Sequence, residues 1–180
     1  MDDPKRRAVY AAEHQFNSTL YMLKVLAEVC PDDVWGKCFY DFPYPFWYQV
    51  YHMAFFIDFW FRDAYGGSEF HSMHFSGEER IHPEYGHEPD PDLYISRADM
   101  IVYIEKLTEK CARFFGRLDD TMLGEPIIPG HDNYTYEDVI LGQTRHVMYN
   151  IGYLNGILRG LNLPESDWYS YNETEDEEDA

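Results

Sequence analysis

The stretch TYEDVILGQTRHVMYNIGYLNGILRGL, residues 135–161, decides the fold class of this chain. Thr135 is a favourable N-cap residue, and Gly160 and Pro164 are residue types that end helices. Between these ends, apolar residues recur at spacings of three and four, which is the period of an α-helix with one buried face. The stripe comprises Val139, Gln143, His146, Val147, Asn150, Leu154, Ile157 and Leu161. The stretch therefore predicts a long amphipathic helix with three polar side chains on its inward face.

Two upstream segments have the same period. Residues 8–29 form the first predicted helix, which ends before Pro31. Residues 46–64 form the second, which follows a proline-rich start and precedes Gly66 and Gly67. This second helix is apolar on nearly every side, so it has to contact other parts of the protein on more than one face. A long loop or a second subunit would provide that contact.

Another predicted helix follows Ser96. Ser96 and Asp99 have the spacing of a capping box, and apolar residues then recur at the helical period as far as Gly116. Before it, residues 65–93 contain glycines, prolines and histidines without a sustained period, so they form a long connection. Short links within each helix pair and this long link between the pairs predict the topology. The expected fold is all-α: a four-helix bundle with helices running up, down, down, up.

The length of 180 residues fits one domain. We expect residues 1–164 to form the bundle. Residues 165–180 are rich in acids and contain no base, so we expect an acidic tail without ordered structure that is dispensable for stability. The sequence contains neither a signal peptide nor an apolar stretch of about 18 residues, which predicts a cytoplasmic protein. The three cysteines lack the spacing of a disulfide framework or a zinc site, which agrees with a reducing compartment.

The negative net charge of the chain argues against two classes of binding partner. Fourteen Lys and Arg against 33 Asp and Glu give a formal net charge of -19. Such a surface repels nucleic-acid phosphates and anionic lipid headgroups, so neither nucleic acid nor a membrane is expected. The motifs for dinucleotides, P-loop hydrolysis, serine hydrolases and zincins are also missing. We also expect a homodimer, since the second helix has more apolar surface than one small core is expected to cover.

Polar residues of the last predicted helix face the core. Gln143, His146 and Asn150 share one face at offsets of three and four. On the second predicted helix Gln49 and His52 are also three apart, and antiparallel packing would bring His52 level with the middle of the last helix. Imidazole nitrogens from two facing helices and a third donor form a metal site with open positions. A hydrogen-bonded cluster without metal would satisfy the same groups, so both interpretations stay open.

The segments that carry these residues resemble the DinB-like superfamily. The resemblance rests on the order of helices, on YQVYHMA (48–54) around His52, and on GQTRHVMYNIGYLNGILR (142–159), and it covers roughly residues 8–163. That superfamily contains metal-binding bundles, among them thiol-dependent S-transferases and a maleylpyruvate isomerase. By this resemblance the metal positions are His52, His146 and Asn150, with Asn150 in a place where the family has a histidine.

The resemblance implies a divalent metal ion, zinc or nickel, and an enzyme. The expected activity is that of a metal-dependent transferase or hydrolase acting on a small molecule, with a low-molecular-weight thiol as the implied cosubstrate. The alternative is a bundle that has lost the three-histidine site and serves as a small-molecule-binding or dimeric interaction protein. Asn150 favours this alternative, because an amide is a weaker donor than an imidazole.

A second group of histidines lies in the long connection. His71, His74, His82 and His87 all belong to it, and His71 and His74 have a spacing that permits chelation. No carboxylate or third ligand accompanies them at a defined spacing, so a solvated loop is the simpler interpretation.

Overall fold

The computed structural model describes residues 3–61 and 75–169. In these two ranges the chain forms α-helices, one short 3-10 helix and no strand. The α-helices are α1 (Arg7–Val29), α2 (Asp32–Trp35), α3 (Phe46–Trp60), α4 (Arg97–Gly116) and α5 (Tyr136–Gly160), and the 3-10 helix is Glu78–Arg80. The predicted all-α class is confirmed.

Capping residues define the starts of the last two helices. The Ser96 hydroxyl accepts a hydrogen bond of 3.1 Å from the backbone N–H of Asp99 at the start of α4. Thr135 and Asp138 form a complete capping box at the start of α5. Each side chain satisfies backbone N–H groups that have no partner within the helix.

The end of α3 differs from the prediction. We expected this helix to continue to Ala64, but it ends at Trp60, and Phe61 has left the helical conformation. The Phe61 side chain is fully buried, and its ring centroid lies 4.5 Å from that of Phe16 in α1. The chain leaves the helix where it places this ring in the core, a tertiary contact that helical periodicity does not predict.

Helices α1 and α4 pack side by side and run antiparallel. At the start of α1, the Arg6 guanidinium donates to the carbonyl oxygens of Phe115 (2.8 Å) and Leu118 (2.9 Å) at the end of α4. Just after α1, the carbonyl oxygen of Cys30 accepts a 2.9 Å hydrogen bond from Arg97, the first residue of α4. The start of each helix therefore lies beside the end of the other.

Helices α3 and α5 are also antiparallel neighbours. His52 in α3 contacts His146 near the middle of α5. At the end of α3, the Trp60 ring lies 5.5 Å from that of Tyr134, just before α5. Both α1 and α3 pack against α4 and α5. The core between them is highly aromatic; its largest fully buried rings are Phe16, Trp35, Phe46, Tyr51, Phe61, Tyr103, Phe114 and Phe115.

The connection between α3 and α4, as far as it is described, packs along α3. The Tyr51 hydroxyl donates a 3.0 Å hydrogen bond to the Glu78 carboxylate, and the ring of Phe75 lies 6.2 Å from that of Tyr51. Near the start of α3, Trp47 contacts the ring of Tyr94 at 6.5 Å. A loop thus covers part of the apolar surface for which we expected either a loop or a second subunit.

Packing continues beyond the predicted domain end at residue 164. Asn155 donates to the carbonyl oxygen of Ser166 (2.8 Å) and accepts from its N–H (3.0 Å). The Ser166 hydroxyl donates to the carbonyl oxygen of Met22 at 2.9 Å, and the buried Tyr169 packs edge-on against Tyr21. These contacts attach residues 165–169 to α1 and α5. The other residues of the expected tail, 170–180, lie outside the described ranges.

None of the helices in the described ranges is long and apolar enough to cross a membrane.

Candidate functional site

Helices α3 and α5 bring two histidines into contact. The Nε2 atoms of His52 and His146 are 2.9 Å apart, with the two rings nearly perpendicular. His52 is only 7% exposed, whereas His146 is half-buried. The Phe56 ring lies beside both imidazoles. The antiparallel pairing of α3 and α5 thus places the histidines at the same height in the interior.

A backbone carbonyl fixes the protonation of His52. Its Nδ1 lies 2.6 Å from the carbonyl oxygen of Pro83. Because a carbonyl only accepts hydrogen bonds, we assign the ring proton to Nδ1, which leaves the lone pair on Nε2. His146 is then the donor in the contact between the rings. A histidine held through Nδ1–H by a backbone carbonyl is typical of metal ligands that bind through Nε2.

Burial lowers the pKa of both histidines. The pKa of His146 falls to about 4, first because of desolvation and then because of the neighbouring His52. Desolvation also lowers the pKa of His52, although the hydrogen bond to Pro83 and the charge of Glu84 act in the opposite direction. Both rings are therefore neutral near pH 7, which is the form that binds metal ions.

Asn150 follows one turn after His146, and both ends of its amide group have hydrogen-bond partners nearby. Its Nδ2 donates a 2.9 Å hydrogen bond to the carbonyl oxygen of His146. Its Oδ1 lies 3.5 Å from the Tyr85 hydroxyl. The Tyr85 ring in turn stacks on His52, with 4.1 Å between ring centroids. Tyr85 therefore joins His52 and Asn150 and covers one face of the imidazole. Sequence reasoning missed this residue, for which the only signal is the aromatic character of the long connection.

Two tyrosines of the α3 region hold the segment that carries Tyr85. The Tyr44 hydroxyl donates to the carbonyl oxygen of His87 at 2.8 Å, and the Tyr48 hydroxyl donates to that of His82. The Tyr44 ring lies 4.7 Å from that of Tyr48 and 4.9 Å from that of Tyr85. Burial raises the pKa of both Tyr48 and Tyr85, so these hydroxyls stay protonated. The cover over His52 is thus held by rings and hydroxyls together.

Gln143 lies one turn before His146 on the same face of α5. It is buried, and its Oε1 atom has no hydrogen-bond partner in the described part of the chain. On α3, Gln49 has the same position relative to His52 and donates a 3.2 Å hydrogen bond to the carbonyl oxygen of Tyr44. Buried acceptors are normally satisfied. The Gln143 oxygen is therefore an available acceptor one turn from the histidine pair.

The other candidate groups lie apart from this pair. The rings of His82 and His87 stack on each other with 3.4 Å between centroids, and both residues are exposed. His71 and His74 lie outside the described residues. Among the residues that are described, no cluster of three His, Cys, Asp or Glu side chains could hold a metal ion.

The two buried cysteines, Cys30 and Cys111, have the environment of structural thiols. Burial raises the pKa of Cys30 to about 12 and also raises that of Cys111. Because the thiolate is the nucleophile, neither of these two residues is suited to nucleophilic catalysis.

Comparisons with known proteins add no family assignment. No family model, curated protein or solved structure matches this chain. The DinB-like resemblance therefore rests on the sequence segments around His52 and His146.

The donor set fits part of the coordination sphere of a divalent ion. Two metal–nitrogen bonds of about 2.05 Å at a tetrahedral angle place their nitrogens about 3.3 Å apart. The observed 2.9 Å between His52 and His146 is close to that separation. A small shift of either ring, together with transfer of the His146 ring proton from Nε2 to Nδ1, makes both Nε2 lone pairs available. The oxygens of Asn150 and Gln143 are the neighbouring neutral donors on α5. Two imidazoles and an amide oxygen suit a borderline ion such as zinc or nickel, with low affinity.

Proposed function

We propose that this protein is a DinB-like four-helix bundle, with helices running up, down, down, up, that binds a divalent metal ion at His52 and His146. The antiparallel pairs α1/α4 and α3/α5 support this topology, as does the long connection between α3 and α4. The metal assignment is carried by one observation: two imidazole Nε2 atoms from facing helices, 2.9 Å apart, one of them oriented by the Pro83 carbonyl.

The proposed activity is that of a metal-dependent transferase or hydrolase acting on a small molecule, with a low-molecular-weight thiol as possible cosubstrate. A divalent ion bound there would lower the pKa of a coordinated thiol or water, and the deprotonated group would be the nucleophile. His52 and His146 would hold the ion, and Asn150 would be the weak third donor. Tyr85 excludes water from the His52 side, so substrate would approach from the half-exposed side of His146.

Metal titration of the purified protein tests this proposal. Zinc or nickel added to the purified protein should bind at about one ion per chain at saturation. Calorimetry should show that Asn150→His binds metal at least about ten-fold more tightly than wild type, because imidazole is the stronger donor. His52→Ala should abolish binding. His131→Ala is the matched control, since this exposed histidine precedes α5, well before His146 in the chain, and its loss should leave the affinity unchanged.

A second candidate function is favoured by the direct contact between the rings. In the absence of metal, His146 donates to His52, Tyr85 covers the pair, and Asn150 is engaged with its own helix. Such a hydrogen-bonded cluster requires no metal ion, which agrees with a bundle that acts as a small-molecule-binding or dimeric interaction protein. Absence of metal binding by wild type and by Asn150→His would decide for this candidate.

A further inference from the structure

Residues 82–89, which we call the cover, lie over one face of the His52 ring. Within the described part of the chain, no residue of the cover forms a backbone–backbone hydrogen bond. Carbonyl groups of the cover instead accept hydrogen bonds from the side chains of Tyr44, Tyr48 and His52. The cover can therefore separate from α3 without breaking a hydrogen bond of any helix.

The two ends of the cover are held together outside the site. Arg80 and Asp90, which flank it, form an ion pair across its base. Within the cover, the rings of His82 and His87 stack on each other. Gly86 has a φ of 101°, a conformation that glycine adopts without strain. Short loops with close ends and internal packing are Ω-loops, which frequently carry function.

The ring of Tyr85 fills a slot whose walls belong to α3, α5 and the segment before α3. Between ring centroids it lies 4.1 Å from His52, 4.9 Å from Tyr44 and 5.2 Å from Phe42. Its hydroxyl lies 3.5 Å from Oδ1 of Asn150. Phe42 and Tyr44 also contact each other at 5.0 Å, so these two walls support each other without Tyr85. The slot is a flat aromatic site with one polar group, which is the usual composition of a small-molecule site.

The walls determine which ligand would fit in place of the Tyr85 ring. Aromatic walls favour another planar ring through stacked and edge-on contacts. The amide oxygen of Asn150 is a hydrogen-bond acceptor, so it favours a ligand with a hydroxyl group. Glu84 places a negative charge close to His52, which disfavours an anion. These three properties together describe a neutral phenol.

We propose that this slot is a binding site for a small neutral phenol, and that Tyr85 occupies it when the ligand is absent. A phenol that enters the slot displaces the Tyr85 side chain and opens the cover, as in other sites that exist only in a minor conformation. The phenol would contact the face of the His52 ring, whereas the proposed metal ion would be bound at Nε2 in the plane of that ring. The inference therefore goes beyond the proposed function and does not depend on metal binding.

NMR chemical-shift titration with p-cresol, which is the tyrosine side chain as a free molecule, tests the slot. Wild type should bind with a dissociation constant of about 1 to 10 mM, because the ligand has to displace Tyr85. Tyr85→Gly leaves the slot vacant and should bind p-cresol at least about ten-fold more tightly. Tyr94→Gly is the matched control, since it removes an exposed tyrosine between the cover and α4, and it should bind like wild type.

Two other ligands test the chemistry of the slot in Tyr85→Gly. Toluene leaves the Asn150 oxygen without a partner, and 4-hydroxybenzoate is an anion at neutral pH. Both should bind at least about three-fold more weakly than p-cresol. Adding Asn150→Leu should remove the preference for p-cresol over toluene. An unchanged preference would contradict the assignment of Asn150 as the acceptor for the phenol.

Limited proteolysis of wild type tests whether the ligand opens the cover. A glutamate-specific protease should cleave after Glu84 and Glu88 at least about two-fold faster with p-cresol at about 10 mM, while a peptide substrate controls for effects on the protease. Wild type that does not bind p-cresol at this concentration, or whose cleavage in the cover does not rise, would overturn the proposal even where Tyr85→Gly binds. All measurements contain chelator, so their failure leaves the metal proposal unaffected.

Discussion

Burial and the neighbouring imidazole of His52 both lower the pKa of His146. The pKa of this residue in the folded protein is about 4, below the value of about 6.5 for an unfolded histidine. The folded state therefore holds His146 neutral. Its contribution to stability is complete above about pH 6.5 and is lost as the pH falls towards 4, because the unfolded chain then binds the proton more tightly.

We expect the free energy of unfolding to fall by roughly 1 kcal/mol between pH 7 and pH 5 because of His146, after a discount for its half-buried ring. Urea unfolding followed by circular dichroism, with chelator present, measures this difference. Glutamine in the variant His146→Gln keeps a hydrogen-bond donor for His52 but does not titrate. The free energy of unfolding of this variant should therefore fall less between pH 7 and pH 5. An equal loss in both proteins would show that other groups cause the pH dependence.

Gln143 provides a second test at the level of one residue. Its Oε1 is buried without a hydrogen bond in the described structure, and such an acceptor costs about 1 to 3 kcal/mol. Replacing it by methionine, which has a similar volume, should raise the free energy of unfolding by about 1 kcal/mol. Gln49→Met is the matched control and should lower it, because Gln49 donates to the Tyr44 carbonyl. Lower stability of Gln143→Met would indicate that an ordered water or ligand satisfies its oxygen.

The sequence could predict that His52 and His146 face the interior, because helical spacing determines which residues share a face. It could not predict what surrounds them. Tyr85 reaches His52 through a loop contact, and Pro83 binds the ring through a backbone carbonyl. Neither contact has a periodic signal. The hydrogen bond from Asn150 to the carbonyl oxygen of His146 likewise depends on the side-chain rotamer, which the spacing of residues along a helix does not determine.

At the scale of elements, the sequence predicted the ends of α1, α4 and α5 at Val29, Gly116 and Gly160, whereas the end of α3 differs from the prediction. Ser96 and Thr135 cap α4 and α5 through side-chain hydrogen bonds formed within a few residues. The end of α3 depends instead on Phe61 entering the core beside Phe16. Helix α2 has only one turn and therefore no detectable period. The long connection was evident from composition, whereas its path along α3 follows from contacts such as that of Tyr51 with Glu78.

The segment after α5 shows how few residues can anchor a polar stretch. Its composition predicts a dispensable tail, but Ser166 bonds to both Asn155 and Met22, and Tyr169 is buried against Tyr21. A chain ending at Pro164 should lose about 5 to 10 °C in Tm, because a buried ring and several hydrogen bonds disappear.

A chain ending at Tyr169 is the matched control for that truncation. It lacks most of the acids of the C-terminal segment but keeps Ser166 and Tyr169, so its Tm should stay within about 2 °C of the full chain. Differential scanning calorimetry of the two truncations and the full chain measures the difference. Equal Tm values for all of them would mean that the contacts of residues 165–169 contribute no net stability.

For the whole molecule, the net charge determines whether repulsion among like charges or attraction within ion pairs has the larger effect on stability. The chain carries -19 at pH 7, and several of its ion pairs, such as Arg80 with Asp90 and Lys37 with Asp33, are largely exposed. Exposed pairs contribute about 0 to 1 kcal/mol each. The well-shielded pair of Lys110 with Asp58, between α4 and α3, is less sensitive to salt. Repulsion among the acids should therefore dominate the salt dependence.

We accordingly expect Tm at pH 7 to rise by several degrees when sodium chloride is raised from about 20 mM to about 500 mM, since the Debye length then falls from about 20 Å to about 4 Å. Salt weakens long-range repulsion in the folded state more than it weakens close ion pairs. Near the sequence pI of about 4.5 the net charge is small, so the same addition of salt should change Tm little. A fall of Tm with salt at pH 7 would mean that attractive ion pairs outweigh the repulsion among the acids.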